Sequence, residues 1–113
     1  MDKKVYKAQM KNIAQSPQKL RLVADLVREK NVEKADEILR FLDKKGAEIV
    51  LKCLNSAVAN AESVDDVKPG DLRISSIMVD EAPMLKRVRF ASRARVSTIH
   101  KRRSNLTVEL TVK

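Results

Sequence analysis

Tyr6, Ala8 and Met10 alternate with Lys7, Gln9 and Lys11, the two-residue period of a strand with one buried and one basic face. The period changes at Ser16-Pro17. A hydroxyl residue before a proline marks a helix start, since the first turn has no use for the N–H that proline lacks. Leu20, Val23, Ala24 and Val27 then recur at helical spacing, which predicts a helix of about three turns. Lys19, Arg21 and Arg28 fall off its apolar stripe, where they can meet phosphate or stay solvated. Asn31 is placed to cap a second helix whose buried face is Val32, Ala35, Leu39 and Leu42. Glu33, Asp36 and Glu37 occupy its early turns, where the helix macrodipole favours acids.

After a break over residues 43–46, the run Ala47, Val50, Leu51, Leu54, Ala57, Val58 and Ala61 predicts the longest helix, with small residues that permit close packing. Pro69-Gly70-Asp71 reads as a turn. Beyond it, Leu72 and Ile74 alternate on one parity and Ile77 and Val79 on the other, so a strand with a bulge near Ser75-Ser76 is expected. Leu106, Val108, Leu110 and Val112 alternate strictly with Thr107, Glu109 and Thr111. These last two segments are expected to pair antiparallel. The fold class is α+β: three helices on a small antiparallel sheet of about three strands.

Between the two strands lies a segment, about residues 80–104, with scattered apolar side chains, no glycine, and a basic series from Lys86 to Arg103. If it continues the strands as a hairpin, legs of about 11 residues at roughly 3.3 Å each reach some 35 Å beyond the body. Nothing in it can form a core. A lone two-stranded ribbon is marginal in water, and basic side chains on both faces repel, so such an arm is expected to be ordered against a partner. The alternative is a floppy insertion.

The chain has 113 residues, enough for one modest core, and is read as a single domain over residues 1–113 that includes the arm. Its formal charge is +9, unevenly spread. Residues 1–30 carry 8 basic and 3 acidic side chains, residues 31–81 carry 7 and 11, and residues 82–113 carry 9 and 1, the one acid being Glu109. An acid-balanced body with basic ends implies one surface for solvent and one for an anion such as nucleic acid. No apolar run follows the basic start, so no secretory signal is expected, and no stretch is apolar enough for a bilayer span.

The catalytic inventory is thin. His100 is the only histidine and Cys53 the only cysteine, so neither a disulfide nor a Cys/His metal cluster can be assembled, and the usage suits a reducing compartment. Cys53 sits beside the apolar stripe of the third helix and reads as core. His100, within Ile99-His100-Lys101-Arg102-Arg103, has cations for neighbours and no carboxylate to orient it, and reads as RNA-facing or solvated. Asp65-Asp66, Asp71 and Asp80-Glu81 match no metal-loop spacing and read as a solvated acidic face. With two glycines in the chain there is no glycine-rich phosphate loop. No enzyme activity, cofactor or metal is expected. One tyrosine, two phenylalanines and no tryptophan offer few stacking platforms, so phosphate contact and RNA shape, rather than base reading, are expected to carry recognition.

Four blocks, in order and spacing, resemble the L twenty-two family of large-subunit ribosomal proteins. They are Ser16-Pro17-Gln18-Lys19-Leu20-Arg21-Leu22-Val23-Ala24-Asp25-Leu26-Val27-Arg28, Leu54-Asn55-Ser56-Ala57-Val58-Ala59-Asn60-Ala61-Glu62, Val79-Asp80-Glu81-Ala82-Pro83 with Lys86-Arg87, and Ile99-His100-Lys101-Arg102-Arg103-Ser104-Asn105-Leu106-Thr107. The resemblance implies an α+β body near the polypeptide exit and a β-hairpin that threads between rRNA domains to line the nascent-chain tunnel. It implies large-subunit rRNA, neighbouring large-subunit proteins and the nascent polypeptide as partners, a cytoplasmic or organellar ribosome as the location, and a monomer when free. By position, Lys86, Arg87, Arg89, Arg93 and Arg95 fall toward the hairpin tip and Lys101, Arg102 and Arg103 on its returning leg. Lys7, Lys11, Lys19 and Arg21 join them as expected RNA contacts from the body. The tip is Arg89-Phe90-Ala91-Ser92-Arg93-Ala94-Arg95, with Ala94 where the family has glycine. A positive φ there would cost alanine about 1 kcal/mol or more. Two other readings follow from the residues alone: a free nucleic-acid regulator that lays the arm in a DNA groove, and a small hydrolase using Cys53 or His100.

Overall fold

The computed structural model describes the backbone of residues 4–91 and 95–113 and the side chains of residues 4–82 and 102–113. In chain order the elements are β1 (Tyr6–Ile13), α1 (Pro17–Val27), α2 (Val32–Phe41), α3 (Lys45–Asp65), β2 (Leu72–Ala91) and β3 (Arg95–Val112), with a single 3-10 turn at Pro69–Asp71 before β2. The sheet runs β1-β3-β2, with both pairings antiparallel. The three helices lie on one face of it, as the α+β pattern predicts.

The core is where the three helical stripes meet the inward parity of the sheet. Leu20, Val23 and Val27 of α1, Leu39 of α2, and Val50 and Leu54 of α3 are buried against Leu72, Ile74, Ile77, Leu106, Val108 and Leu110. The parity change expected in β2 is real. Register slips between Ile74, opposite Leu110, and Ser76, opposite Glu109, leaving Ser75 as the extra residue. Its hydroxyl donates to the Glu109 carbonyl at 3.1 Å. The bulge therefore returns Ile77 and Val79 to the buried face. A second slip between Ala82 and Leu85 spans Pro83, which has no N–H for the ladder.

Two local expectations need correction. Gly46 is not part of the break but the second residue of α3. Its role is close approach: a Cβ there would meet Val23 Cγ2 at 3.1 Å, so glycine lets α3 press against α1. Ser16 and Asn31 stand at the N-cap positions with extended backbone, yet neither side chain makes a capping bond. For Asn31, the backbone is tied to β2 by a bridge to Arg73, and the Ile74 N–H donates to the Lys30 carbonyl at 2.9 Å. The first strand also runs past Met10, through a bulge with Asn12 at φ 57°, to Ile13 opposite Ser104.

The helix ends show where the chain is strained. Glu29, just past α1, has φ 63°, and Asp66, closing α3, has φ 54°. Asp66 donates its N–H to the Glu62 carbonyl at 3.0 Å, and Val67 follows onto Ala61 at 3.4 Å, the paired closure of a helix C-terminus. Glu29 has no β-branch to forbid this conformation, but glycine adopts it without steric cost. Glu29→Gly is expected to raise stability by roughly 0.5 to 1 kcal/mol. Urea denaturation checks this, and an unchanged or lower midpoint refutes it.

Candidate nucleic-acid interface

The expected RNA contacts separate into a body set and an arm set. Lys7 and Lys11 are exposed on β1, with Lys7 paired across the strand to Glu109. Lys19 is exposed in the first turn of α1, Arg102 is exposed on β3, and Arg103 is half-buried. The Arg103 Nη1 donates to the Asn12 carbonyl at 3.0 Å, so this cation stiffens the bulge in β1 at the root of the arm. Arg102, Arg103, Pro17, Glu81 and Ala82 line a depression of about 160 Å³ there.

Arg21 and Arg28 have a role that the sequence did not disclose. The β2 strand is an edge, and its outward carbonyls would otherwise be open to another strand. Arg21 donates Nε and Nη2 to the Val79 carbonyl at 3.2 and 3.0 Å, and Arg28 donates Nη1 to the Ile77 carbonyl at 2.8 Å. Asp25 holds the Arg28 guanidinium at 3.1 Å. Helix α1 thus clasps the edge of the sheet with two arginines seven residues apart. Arg21 was expected on RNA, and the structure engages two of its three guanidinium nitrogens within the body. The spacing of Arg21 and Arg28 on one helix flank was the available signal, but which strand lay beside that flank was not legible.

In the arm, backbone pairing runs without a break in register from Leu85 opposite Lys101 to Ala91 opposite Arg95. Lys86 faces His100, Arg87 faces Ile99, Arg89 faces Ser97 and Phe90 faces Val96. Arg87, Arg89, Arg95 and Lys101 occupy register positions of one parity, while Lys86, Val88, Phe90 and Val96 occupy the other. The side chains of Lys86, Arg87, Arg89, Phe90, Ala91, Arg95, His100 and Lys101 lie outside the described residues, as do Ser92, Arg93 and Ala94 entirely. The hairpin gives the molecule a long axis of 64 Å against 28 and 20 Å.

The body offers little for catalysis. Cys53 is fully buried, and burial pushes its thiol up to about 11, the opposite of what a thiolate nucleophile needs. Among the described residues no group of three or more His, Cys, Asp or Glu could hold a metal ion, and no described helix is long and apolar enough to cross a membrane. Asp65 is exposed, as are Asp66, Asp71, Asp80 and Glu81, and it is also ion-paired. Tyr6 Oη donates to it at 2.5 Å and Lys4 Nζ lies at 2.7 Å, holding its carboxyl below the usual carboxylate range.

The profile of the ribosomal protein L22p/L17e family matches residues 8–111, both the body and the arm. The chain belongs to this family. It is also similar to the large ribosomal subunit protein uL22 of two Dehalococcoides mccartyi strains, BAV1 and CBDB1. Each is 49% identical over 102 residues, covering 90% of this chain and 94% of the relative. These relatives are ribosomal proteins and not enzymes, in keeping with the buried thiol. Within the L22p/L17e family, the four sequence blocks now have places in the fold. The first spans α1, the second lies in the C-terminal half of α3 with Leu54, Ala57 and Ala61 buried, the third carries β2 into the arm, and the fourth brings β3 back into the core.

Two outcomes follow from this arrangement. Arg28→Ala frees the Ile77 carbonyl and is expected to cost about 1 kcal/mol in urea denaturation. Arg28→Met, which keeps the stem without the donors, should lose nearly as much if the clasp is a hydrogen bond, and little if the stem alone matters. The Cys53 pKa lies above its ordinary value in the folded state, so the folded form holds a proton that the unfolded form releases first. Stability is therefore present below about pH 9 and falls as pH rises from there through about 11, by roughly 2 to 3 kcal/mol. Cys53→Ala should flatten that alkaline slope, whatever it does to the midpoint at neutral pH.

Proposed function

We propose that this chain is a structural constituent of the large ribosomal subunit. It binds large-subunit rRNA with its basic root and arm, bridges rRNA domains during assembly, and lines the nascent-polypeptide tunnel with its hairpin. The observation that carries this reading is the family match across residues 8–111, body and arm together. The charge distribution supports it independently: 9 basic residues against 1 acid over residues 82–113 follow a body that is net acidic over residues 31–81.

In this reading Lys7, Lys11, Lys19, Arg102 and Arg103 meet phosphates around the root of the arm, and Lys86, Arg87, Arg89, Arg93, Arg95 and Lys101 meet them along it. Arg21 adds to this set only through what its clasp on Val79 leaves available. Phosphate contacts fix position without reading sequence, so specificity comes from the folded shape of the RNA. Neighbouring large-subunit proteins and the nascent chain are the other partners, the free protein is a monomer, and the ribosome is in the cytoplasm. No reaction is performed.

A tagged copy is expected to sediment with large subunits and polysomes in a gradient at moderate salt. Retention at the top of the gradient, once untagged protein has been competed away, would refute the ribosomal reading. With about eight cations on phosphates, the log–log dependence of rRNA affinity on salt is expected to have a slope of order −6. A slope near −2 would leave the arm out of binding. Deleting residues 86–95 is expected to lower rRNA affinity steeply while moving the melting temperature by only a few degrees, because the described core of buried residues forms without them. A fall of tens of degrees would make the arm part of the folding unit.

A further inference from the structure

We propose that the exposed ring of Phe41, at the corner between α2 and α3, is a stacking platform for one unpaired base of the bound RNA. This deepens the rRNA-binding reading and rests on it for the identity of the partner. Phe41 was not among the residues expected to touch RNA, and the attachment it offers is apolar rather than ionic.

Phe41 is the last residue of α2. The buried face of that helix is Val32, Ala35 and Leu39, and Phe41 falls two residues beyond Leu39, about 200° further around the axis. The ring is therefore turned away from the core. Phe41 is 85% exposed, the most of any large apolar side chain described, whereas Tyr6, the other aromatic residue with a described side chain, is buried. The corner that carries the ring is short and hydrogen-bonded. The Lys44 N–H donates to the Leu42 carbonyl at 3.0 Å and the Ala47 N–H to the Lys44 carbonyl at 3.1 Å, which ties the backbone beside Phe41 to the start of α3. Phe41 shares an open depression of about 550 Å³ with Leu39, Leu42 and Leu51.

Single exposed apolar side chains are common on protein surfaces, so the surroundings decide what this one meets. Lys45 lines the Phe41 depression and also the depression at the root of the arm, there together with Lys19 and Arg102. The surface assigned to RNA at the root thus continues across Lys45 to the ring, and a strand lying on the root reaches it. The rim of the Phe41 depression is close to neutral: Asp43 and Glu48 offset Lys44 and Lys45, while Asp36 holds Arg40 at 2.8 Å. Ionic attraction is therefore not what this corner adds. An aromatic face adds stacking, which any base can make because every base has a π-face. Phosphate contacts fix the position of a strand but do not engage a base, and a base is free to stack on protein only where it has left its own helix. Stacking on Phe41 ties the body to an unpaired nucleotide, and so to a folded RNA rather than a continuous duplex.

The test uses the full chain and a large-subunit rRNA transcript. Phe41→Ala is expected to lower affinity about tenfold at every salt concentration, with the log–log salt slope equal to that of the wild type, because no phosphate contact is lost. Phe41→Leu, which keeps apolar bulk without a ring, should lose as much, and Phe41→Tyr should bind like the wild type. All three should melt close to the wild type, since the side chain lies outside the core. The chain has no tryptophan, so Phe41→Trp supplies a single fluorescent reporter at the platform, and its emission is expected to be quenched when the transcript binds. Wild-type affinity in Phe41→Ala, full binding by Phe41→Leu, or unquenched Phe41→Trp emission in the complex would each overturn the platform. Wild-type RNA affinity with poor incorporation of Phe41→Ala into large subunits would overturn it too, and would assign the ring to a neighbouring protein. Failure of the unaltered chain to bind the transcript would overturn the rRNA reading itself, and the platform with it.

Discussion

The pairing of β2 with β3 is the interaction on which the rest of the structure depends. One antiparallel ladder, with register slips at Ser75 and around Pro83, runs from Leu72 opposite Val112 to Ala91 opposite Arg95 and serves first as the floor of the core and then as the arm. The handover falls near Ala82, the last buried apolar residue described on β2, and Ser104, fully buried on β3. Ser104 Oγ donates to the Gln15 carbonyl at 2.7 Å, tying β3 to the segment that leads into α1. Inside that point hydrophobic burial holds the strands. Beyond it the described structure is the backbone ladder, and an isolated ribbon of that length has marginal stability in water.

Because β3 is the middle strand, its register fixes both neighbours, and each outer strand carries a bulge that corrects parity or direction. Both outer strands are also engaged by helix side chains. Asn60 of α3 donates to the Lys7 carbonyl of β1 at 3.0 Å, while Arg21 and Arg28 of α1 hold β2. Edge strands are open invitations to further pairing, and a protein that carries a long exposed ribbon has particular reason to close them. The helices therefore do more than cover one face of the sheet. They limit where it can continue, leaving the arm as the direction in which it extends.

Most of the body was legible because its signals are periodic and local. The three helical stripes, the strict alternation from Leu106 to Val112 and even the bulge at Ser75 follow from parity in the sequence. What was not legible depends on which element lies beside which. Gly46 looked like a break because glycine usually is one, but its missing Cβ is needed for α3 to meet Val23. Ser16 and Asn31 were correctly placed at helix starts, yet capping needs a side-chain rotamer that the neighbouring strand and loop do not provide. The cations show the same division. Charge asymmetry located the basic third of the chain, but it could not show that Arg21, though as exposed as Lys19 two residues earlier, is hydrogen-bonded to a carbonyl of β2.

The contrast between Arg21 and Lys19 says something about how a small basic protein can fold before its anion arrives. Guanidinium groups can be spent on carbonyls, because a planar donor fork matches a fixed acceptor and keeps its hydrogen bonds when water is partly excluded. Lysines are flexible, strongly hydrated point charges that lose less by waiting in solvent. In the body, Arg21 and Arg28 are exposed but hydrogen-bonded to carbonyls of β2, while Lys7, Lys11 and Lys19 are exposed on β1 and α1. The acids of residues 31–81 offset the remaining charge away from the arm, so repulsion among the cations does not have to be overcome within the core itself. The fold can then form as a nearly balanced body, with its excess positive charge carried on residues 82–113.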